Sequence, residues 1–428
     1  MKLSPARRIS GRLQLPGDKS ISHRAALIAA LASGRSEIAN FSTARDCAST
    51  VECLRNLGVS IDQTNQHLIV AGTGKLVAPR DPLDCGNSGS TLRILTGVLA
   101  GLDLTAELVG DESLSSRPMR RIIEPLELMG AKIESTSGKA PLKVHGSASL
   151  TPIIYKLPVA SAQVKSAILF AGLNATGRTT VIETSPSRDH TERLFNGFGV
   201  PVETDDLSVS IEGPVRLSGG AITIPGDVSS AAYFIAAAML LPGSELTIER
   251  VGLNPTRAAF LDVLSSWGAE ISVTDVESER NEPFGTIKVR GGINRTPSEQ
   301  ERTLSGSMIP ALIDELPLLA VVGSQIEGGI QIRDARELRL KESDRLATTV
   351  KNLLAMGAEV EEFEDGLAVS GPTKLRGTLV DSHLDHRIAM AFSVAALFAT
   401  GETQIAGSEC VAISFPEFFS LLDSLAVR

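Results

Sequence analysis

Six stretches of the chain are apolar at almost every position and rich in small side chains, and each closes on a glycine followed by a β-type segment. They read "HRAALIAALASGRSEI", "TLRILTGVLAGLDLTAEL", "VKSAILFAGLNATGRTTVI", "AAYFIAAAMLLPGSELTI", "IPALIDELPLLAVVGSQI" and "DHRIAMAFSVAALFATGETQI". An apolar period with no polar face predicts helices buried on most sides. A second phrase interleaves with the first: "LRNLGVSI", "LELMGAKI", "LFNGFGVPV", "LSSWGAEI" and "LLAMGAEV". It predicts an amphipathic helix ending just before Gly58, Gly130, Gly199, Gly268 or Gly357, with that glycine in the left-handed region and a strand after it. The terminal "FFSLLDSLAVR" begins a sixth copy and stops short.

Six such units split into three plus three. "LPGDKSISHRAALIAALASG" (15–34) and "IPGDVSSAAYFIAAAMLLPG" (224–243) stand at equivalent points of the two halves. The expected division is a first domain of 1–13 plus 228–428 and a second of 14–227, with the first dozen residues packing with the later half. The two Pro-Gly-Asp copies differ in one respect: Lys19, His23 and Arg24 have no counterpart in the second.

The composition narrows the function classes. With 428 residues two domains are the default. A net charge of −9 argues against a polyanion-binding surface, and 4% aromatics is low for a protein that stacks bases, so no nucleic-acid partner is expected. Cys47, Cys53, Cys85 and Cys410 form no CxxC pair and read as reduced thiols of a cytoplasmic protein. No apolar run is long enough to span a bilayer, and no metal-ligand spacing is present.

Charge collects where the buried helices begin: Lys19, Ser20 and Arg24; Asn87, Gly89 and Ser90; Ser161 and Gln163; Ser229 and Ser230; Asp385, His386 and Arg387, with Asp314 inside its helix. A helix start presents unpaired N–H groups and is an anion site in waiting. "DCGNSGSTLR" adds small residues that let backbone N–H groups reach a ligand. The intervening loops bring Arg117, Arg120, Arg121, Arg188, Lys341 and Arg345; the last two are four apart, so one helix face could present both. Taken singly, a serine at a helix start is a cap and an arginine is a surface ion pair. His67 and His145 are incidental, and His386 reads equally as a structural hydrogen-bonder or a catalyst. Recurrence with the repeat gives the cluster its weight and points to a ligand with several negative charges.

"LPGDKSISHRAALIAALASG", "GNSGSTLR", "SSRPM", "SAQVKSA", "DELPLLA", "RLKESDRL" and "DHRIAMAFSVAAL", in this order along essentially the whole chain, resemble the hallmark segments of the EPSP synthases, the 3-phosphoshikimate 1-carboxyvinyltransferases. The resemblance implies an α/β fold, the two-domain enolpyruvyl-transferase fold or inside-out α/β barrel. Each domain holds three βαβαββ repeats with buried parallel helices, and the active site lies in the interdomain cleft. It implies enolpyruvyl transfer from phosphoenolpyruvate to the 5-hydroxyl of shikimate 3-phosphate, no cofactor, no metal, no membrane, a monomer, and glyphosate as inhibitor. Shikimate 3-phosphate falls to Lys19, Ser20, Arg24, Ser161, Gln163, Arg188, Asp314 and Lys341. Phosphoenolpyruvate falls to Lys19, Gly89, Arg117, Gln163, Arg345 and Arg387, and catalysis to Asp314, Glu342 and Lys19. Many relatives carry a lysine where this chain has Ile413 in "VAISFPEF".

The alternative is the sister enzyme acting on UDP-N-acetylglucosamine. Its loop usually carries a cysteine before Arg-Pro, absent from "DESLSSRPM", and Asn rather than Ser20 typically follows its lysine. A non-catalytic anion-binding or RNA-end-processing protein is a third reading, opposed by the low aromatic content and by the pairing of Asp314 with Glu342.

Overall fold

The computed structural model describes residues 1–428. Twelve helices have eight residues or more. They are α1 (Lys19–Leu31), α2 (Arg45–Asn56), α3 (Gly89–Ala100), α4 (Arg120–Leu128), α5 (Ala162–Gly172), α6 (His190–Gly197), α7 (Val228–Leu240), α8 (Ala259–Ser266), α9 (Leu316–Gly323), α10 (Arg345–Ala355), α11 (His386–Phe398) and α12 (Phe418–Leu425). The odd-numbered six are the apolar runs, buried along nearly their whole length; the even-numbered six are amphipathic. The sixth amphipathic helix does form, as α12, and the strand Ala426–Val427 follows it, paired antiparallel with Arg8–Ile9.

The glycines after the other five behave as their position requires. Gly58, Gly130, Gly199, Gly268 and Gly357 have φ of +85°, +105°, +84°, +99° and +93°. In each the chain reverses from a helix into a strand through a conformation that a Cβ disfavours.

The chain divides into two compact units: Met1–Leu15, Gly226–Glu277 and Pro283–Arg428 form the first, and Pro16–Pro225 with Ser278–Glu282 the second. In the second unit three four-stranded sheets repeat one plan. Leu83–Asp84 leads through α3 into the parallel neighbour Thr105–Val109, which pairs antiparallel with Lys139–His145, itself paired with Lys132–Thr136. Ile154–Lys156 and α5 begin the same arrangement. In the remaining sheet the strand expected before α1 is supplied from the far end of the unit, by Ala221–Thr223 beside Ser33–Ala39. In the first unit Arg8–Gln14 supplies the short strand beside Glu245–Gly252, and Lys2–Leu3 completes the sheet of Leu379–Asp381 and Thr403–Ala406.

Each unit has one continuous apolar core built on its buried helices. Complete burial of a side chain such as Ile235 or Phe170 contributes about 1.5–3 kcal/mol. Small residues set how closely these helices approach. A Cβ on Gly97 of α3 would lie 2.2 Å from the carbonyl oxygen of Ala167 in α5, so the two backbones touch there. Gly17 of the first Pro-Gly-Asp is equally constrained, since its Cβ would meet the Asn40 carbonyl oxygen at 1.8 Å.

Two local expectations are corrected. Asp314 is not inside a helix: the apolar run is broken into Ile309–Leu312 and α9, bent by 108° about residues 313–315. Pro317 explains the break, because its ring clashes with the carbonyl four residues back, at Ile313, and it lacks the N–H that would bond there. Nor do Lys341 and Arg345 share a helix face. Asp344 caps α10 by accepting from the Ala347 N–H at 3.0 Å, so the helix starts at Arg345 and Lys341 precedes it in extended backbone.

A Cβ on Gly199 would meet no atom within 4 Å, so a side chain there encounters backbone strain alone. Gly199→Ala is expected to lower unfolding free energy by about 1–2 kcal/mol, measured by urea denaturation, with no change in the slope of the transition.

Candidate active site

In the second unit the starts of the buried helices gather cations. Asp18 caps α1, accepting from the Ile21 N–H at 2.9 Å, and the next residue, Lys19, places Nζ 2.7 Å from Asp46 Oδ2 at the start of α2. Arg24, one turn on and buried, donates from Nε to Thr191 Oγ1 (2.7 Å), from Nη1 to the Ser20 carbonyl (2.9 Å) and from Nη2 to Ser166 Oγ (2.9 Å). Burial lowers its pKa to about 10, against the attraction of Glu192 and Asp18, and Arg188 adds repulsion. Ser88 caps α3 and Ser161 caps α5.

Gln163 is clamped. Arg93 Nη1 donates to its Oε1 at 2.7 Å and its Nε2 donates to Ser90 Oγ at 2.9 Å. Gly89 lies beside this pair, and a Cβ there would sit 2.8 Å from Arg93 Nη1 and 3.4 Å from Arg117 Nη1. Arg117 in turn donates to Asn87 Oδ1 at 2.7 Å, and Asn87 donates to Asp111 Oδ2 at 2.7 Å. One glycine therefore keeps two guanidinium groups close to a helix start.

Beneath them lies a buried triad, with Lys165 Nζ 2.7 Å from Glu183 and 2.6 Å from Glu192. Burial pushes the Glu192 carboxyl up despite Lys165. His190, at the start of α6, pairs with Glu282 at 2.7 Å, both fully buried.

The first unit has a different balance. Buried Arg345 spreads its guanidinium over three carboxylates: Asp385 Oδ2 at 2.8 Å, Glu342 Oε2 at 2.5 Å and Asp314 Oδ1 at 3.3 Å. Burial opposes its charge, and Asp385, Glu342 and Asp314 more than offset that. Arg387 has longer contacts, 3.6 Å to Asp314 and 3.4 Å to Glu315. Glu315 accepts from the Ser229 hydroxyl, which accepts from Arg257 Nη2. Arg257 also stands 3.6 Å from Asp227. Half-buried Lys341 has its pKa lowered, first by burial and then by Arg345, against Asp314. No group of three or more His, Cys, Asp or Glu side chains is disposed to hold a metal ion, and all four cysteines are free and buried.

A sequence profile of EPSP synthase (3-phosphoshikimate 1-carboxyvinyltransferase) matches residues 3–422. The chain belongs to the EPSP synthase family. The 3-phosphoshikimate 1-carboxyvinyltransferase of Koribacter versatilis is 50% identical, covering 100% of this chain and 99% of the relative; that of Geobacillus kaustophilus is 49% identical over 97% and 98%. The solved EPSP synthase of Acinetobacter baumannii superposes with a TM-score of 0.88 at 38% identity, over 100% of this chain and 98% of that one. The α/β enolpyruvyl-transferase fold follows.

Within this EPSP synthase fold the residues expected from sequence fall into two sets. Lys19, Ser20, Arg24, Gly89, Arg117, Ser161, Gln163 and Arg188 are in the second unit; Asp314, Lys341, Glu342, Arg345 and Arg387 are in the first. Sequence reasoning missed the residues that hold them. Arg93 was legible, because it is four residues after Gly89 on one helix face. Glu315 adjoins Asp314, already singled out, and Asp385 is itself among the residues named at the helix starts. Asp46 and Arg257 left no signal, since each reaches its partner across 27 or 28 residues. Arg257 also alters the contrast between the Pro-Gly-Asp copies. In the first copy the cation is on the buried helix and its carboxylate comes from α2. In the second the carboxylate is Asp227, which caps α7, and the cation comes from the loop before α8.

His23, on α1 between Lys19 and Arg24, has its pKa driven well below 6.5, first by burial and then by those two cations. It is neutral in the folded chain and takes a proton on unfolding below pH 6.5. Its contribution is therefore complete above that pH and is lost as pH falls toward the depressed value. His23→Asn keeps an acceptor near Thr50 Oγ1, 2.6 Å from Nδ1 in the wild type. Between pH 7 and 5.5 the variant should lose about 1 kcal/mol less stability than wild type, as read from urea titrations at the two pH values.

Proposed function

We propose that the chain transfers the enolpyruvyl group of phosphoenolpyruvate to the 5-hydroxyl of shikimate 3-phosphate and releases phosphate. The observation that carries the chemistry is the pair Asp314 and Glu342 on one buried guanidinium, Arg345. Two carboxylates fixed by a common cation can move two protons in a concerted addition, one removed and one delivered. The cation-rich helix starts of the other unit suit substrates that carry two phosphates and two carboxylates between them.

In this reading Lys19, Ser20, Arg24, Ser161, Gln163, Arg188, Asp314 and Lys341 hold shikimate 3-phosphate. Lys19, Gly89, Arg117, Gln163, Arg345 and Arg387 hold phosphoenolpyruvate. Arg387 suits an incoming anion because its carboxylate contacts are long. Asp314 takes the proton of the 5-hydroxyl as its oxygen bonds to C2, and protonated Glu342 gives a proton to C3, which becomes a methyl group. In collapse of the tetrahedral intermediate, Glu342 takes a proton back from the methyl group. The C2–O bond to phosphate breaks, and the proton on Asp314 leaves with phosphate. Lys19 stabilises the charge on the departing oxygen. We read the enzyme as a monomer of the cytoplasm, a compartment that suits four reduced thiols.

Release of inorganic phosphate from the two substrates together, and from neither alone, tests the activity. Asp314→Asn preserves shape and removes the base. Turnover should fall at least about 100-fold while shikimate 3-phosphate still binds; near-normal turnover would remove Asp314 from the chemistry.

A methyl group at position 89 presses on Arg93 Nη1, comes into van der Waals contact with Arg117 and narrows the space at this helix start. Glyphosate, an inhibitor of this enzyme class, is longer than phosphoenolpyruvate. In Gly89→Ala its inhibition constant should rise about tenfold or more, with KM for phosphoenolpyruvate changing less. Competition assays on both proteins check this, and equal inhibition constants would show that position 89 does not set the discrimination. Ile413, partly buried against the core of the first unit, supplies no cation to either ligand.

A further inference from the structure

The break before α9 sets two consecutive carboxylates, Asp314 and Glu315, against one guanidinium. Arg387 Nη2 lies 3.6 Å from Asp314 Oδ2, and Nη1 lies 3.4 Å from Glu315 Oε1. Burial opposes the charge of Arg387, and Asp314, Tyr233 and Glu315 more than offset that. The two carboxylates differ in their surroundings. Asp314 is partly exposed, whereas Glu315 is buried, and its Oε1 also receives the Ser229 hydroxyl, which accepts in turn from buried Arg257 Nη2. A guanidinium only donates and a carboxylate only accepts, so the hydroxyl between them is held in one orientation. Ser229 is itself fixed at the start of α7, where its N–H donates to Asp227 Oδ1 at 2.8 Å; Arg257 stands 3.6 Å from the same oxygen. No expected substrate contact accounts for Arg257, Ser229 or Glu315.

We infer that Glu315, backed by Ser229 and Arg257, is a positioning residue that holds Arg387 in place for phosphoenolpyruvate. The inference rests on the function proposed above and on its assignment of Arg387 to that substrate. Glu315 draws the guanidinium away from Asp314. Without that pull Arg387 closes on Asp314, and the cation that should meet an incoming anion is paired instead with the group that takes the hydroxyl proton. Arg257 and the Ser229 hydroxyl replace the water that the Glu315 carboxylate loses on burial. Fixing a long, flexible side chain before the ligand arrives removes an ordering cost from binding. Plain electrostatics makes the opposite demand: deleting a negative charge beside a cation tightens its hold on an anion. The sign of the change in the variant therefore separates positioning from charge balance.

KM for phosphoenolpyruvate, and affinity for shikimate 3-phosphate measured by calorimetry without phosphoenolpyruvate, are compared in wild type, Glu315→Gln, Ser229→Ala and Arg387→Gln. Glu315→Gln should raise KM for phosphoenolpyruvate about tenfold and change affinity for shikimate 3-phosphate less than about threefold. Ser229→Ala removes only the hydroxyl between Arg257 and Glu315. It should raise KM in the same sense by a smaller factor, and it covers the case in which Glu315→Gln does not fold. Arg387→Gln removes the cation itself and should raise KM more than either. An unchanged or lower KM in folded Glu315→Gln and Ser229→Ala, or equal weakening of the two ligands, overturns the inference. An unchanged KM in Arg387→Gln takes Arg387 out of the phosphoenolpyruvate site and the inference with it. Failure of wild type to release phosphate from the two substrates would instead overturn the proposed function.

Discussion

A helix buried on every face must still satisfy the N–H groups of its first turn, and six such helices impose this demand six times. Where burial keeps water from these ends, side chains or ligands must do so. Five starts carry an Asp or Ser cap: Asp18, Ser88, Ser161, Asp227 and Asp385. The partial positive charge there then favours carboxylates and substrate anions. The sites follow from how the cores are built: apolar runs of small residues pack inward, and their polar ends collect the chemistry.

The two units meet that demand with opposite charge. In the second, Lys19 meets the carboxylate of Asp46, Arg24 donates to hydroxyls and a carbonyl, and Arg93 and Arg117 donate to amide oxygens. In the first, Asp314, Glu315, Glu342 and Asp385 surround two guanidinium groups, and the surplus is of proton acceptors. Arg345 is saturated by carboxylates, so it fixes Asp314 and Glu342 relative to each other. The duplicated Pro-Gly-Asp turn shows the same divergence on a smaller scale, with Lys19–Asp46 in one copy and Arg257–Asp227 in the other.

Departures from the repeat have local causes and chemical consequences. Pro317 stops one buried helix from running through, and the break exposes Asp314 beside Arg345 and Arg387. Asp344 starts α10 late, which leaves Lys341 in extended backbone and Glu342 in the bend ahead of the helix. Side chains that would have been fixed on a helix face are instead presented from turns, Asp314 tied by two ion pairs and Glu342 by one.

The buried and amphipathic helix types, the left-handed glycines and the polar, capped helix starts were all legible in the chain, because each depends on residues within about a turn of one another. Burial follows from an apolar run, and a C′ glycine from the chain's need to reverse. Lys19, Arg24, Gln163 and Arg387 could be named for the same reason. What the chain could not reveal is which groups hold them. Asp46 for Lys19, Ser166 and Thr191 for Arg24, Arg93 for Gln163, and Arg257 through Ser229 and Glu315 for Arg387 are pairings across loops and repeats. Such pairings depend on distances that only packing sets, and at a buried site a shift of one ångström decides whether a charge is paired or stranded.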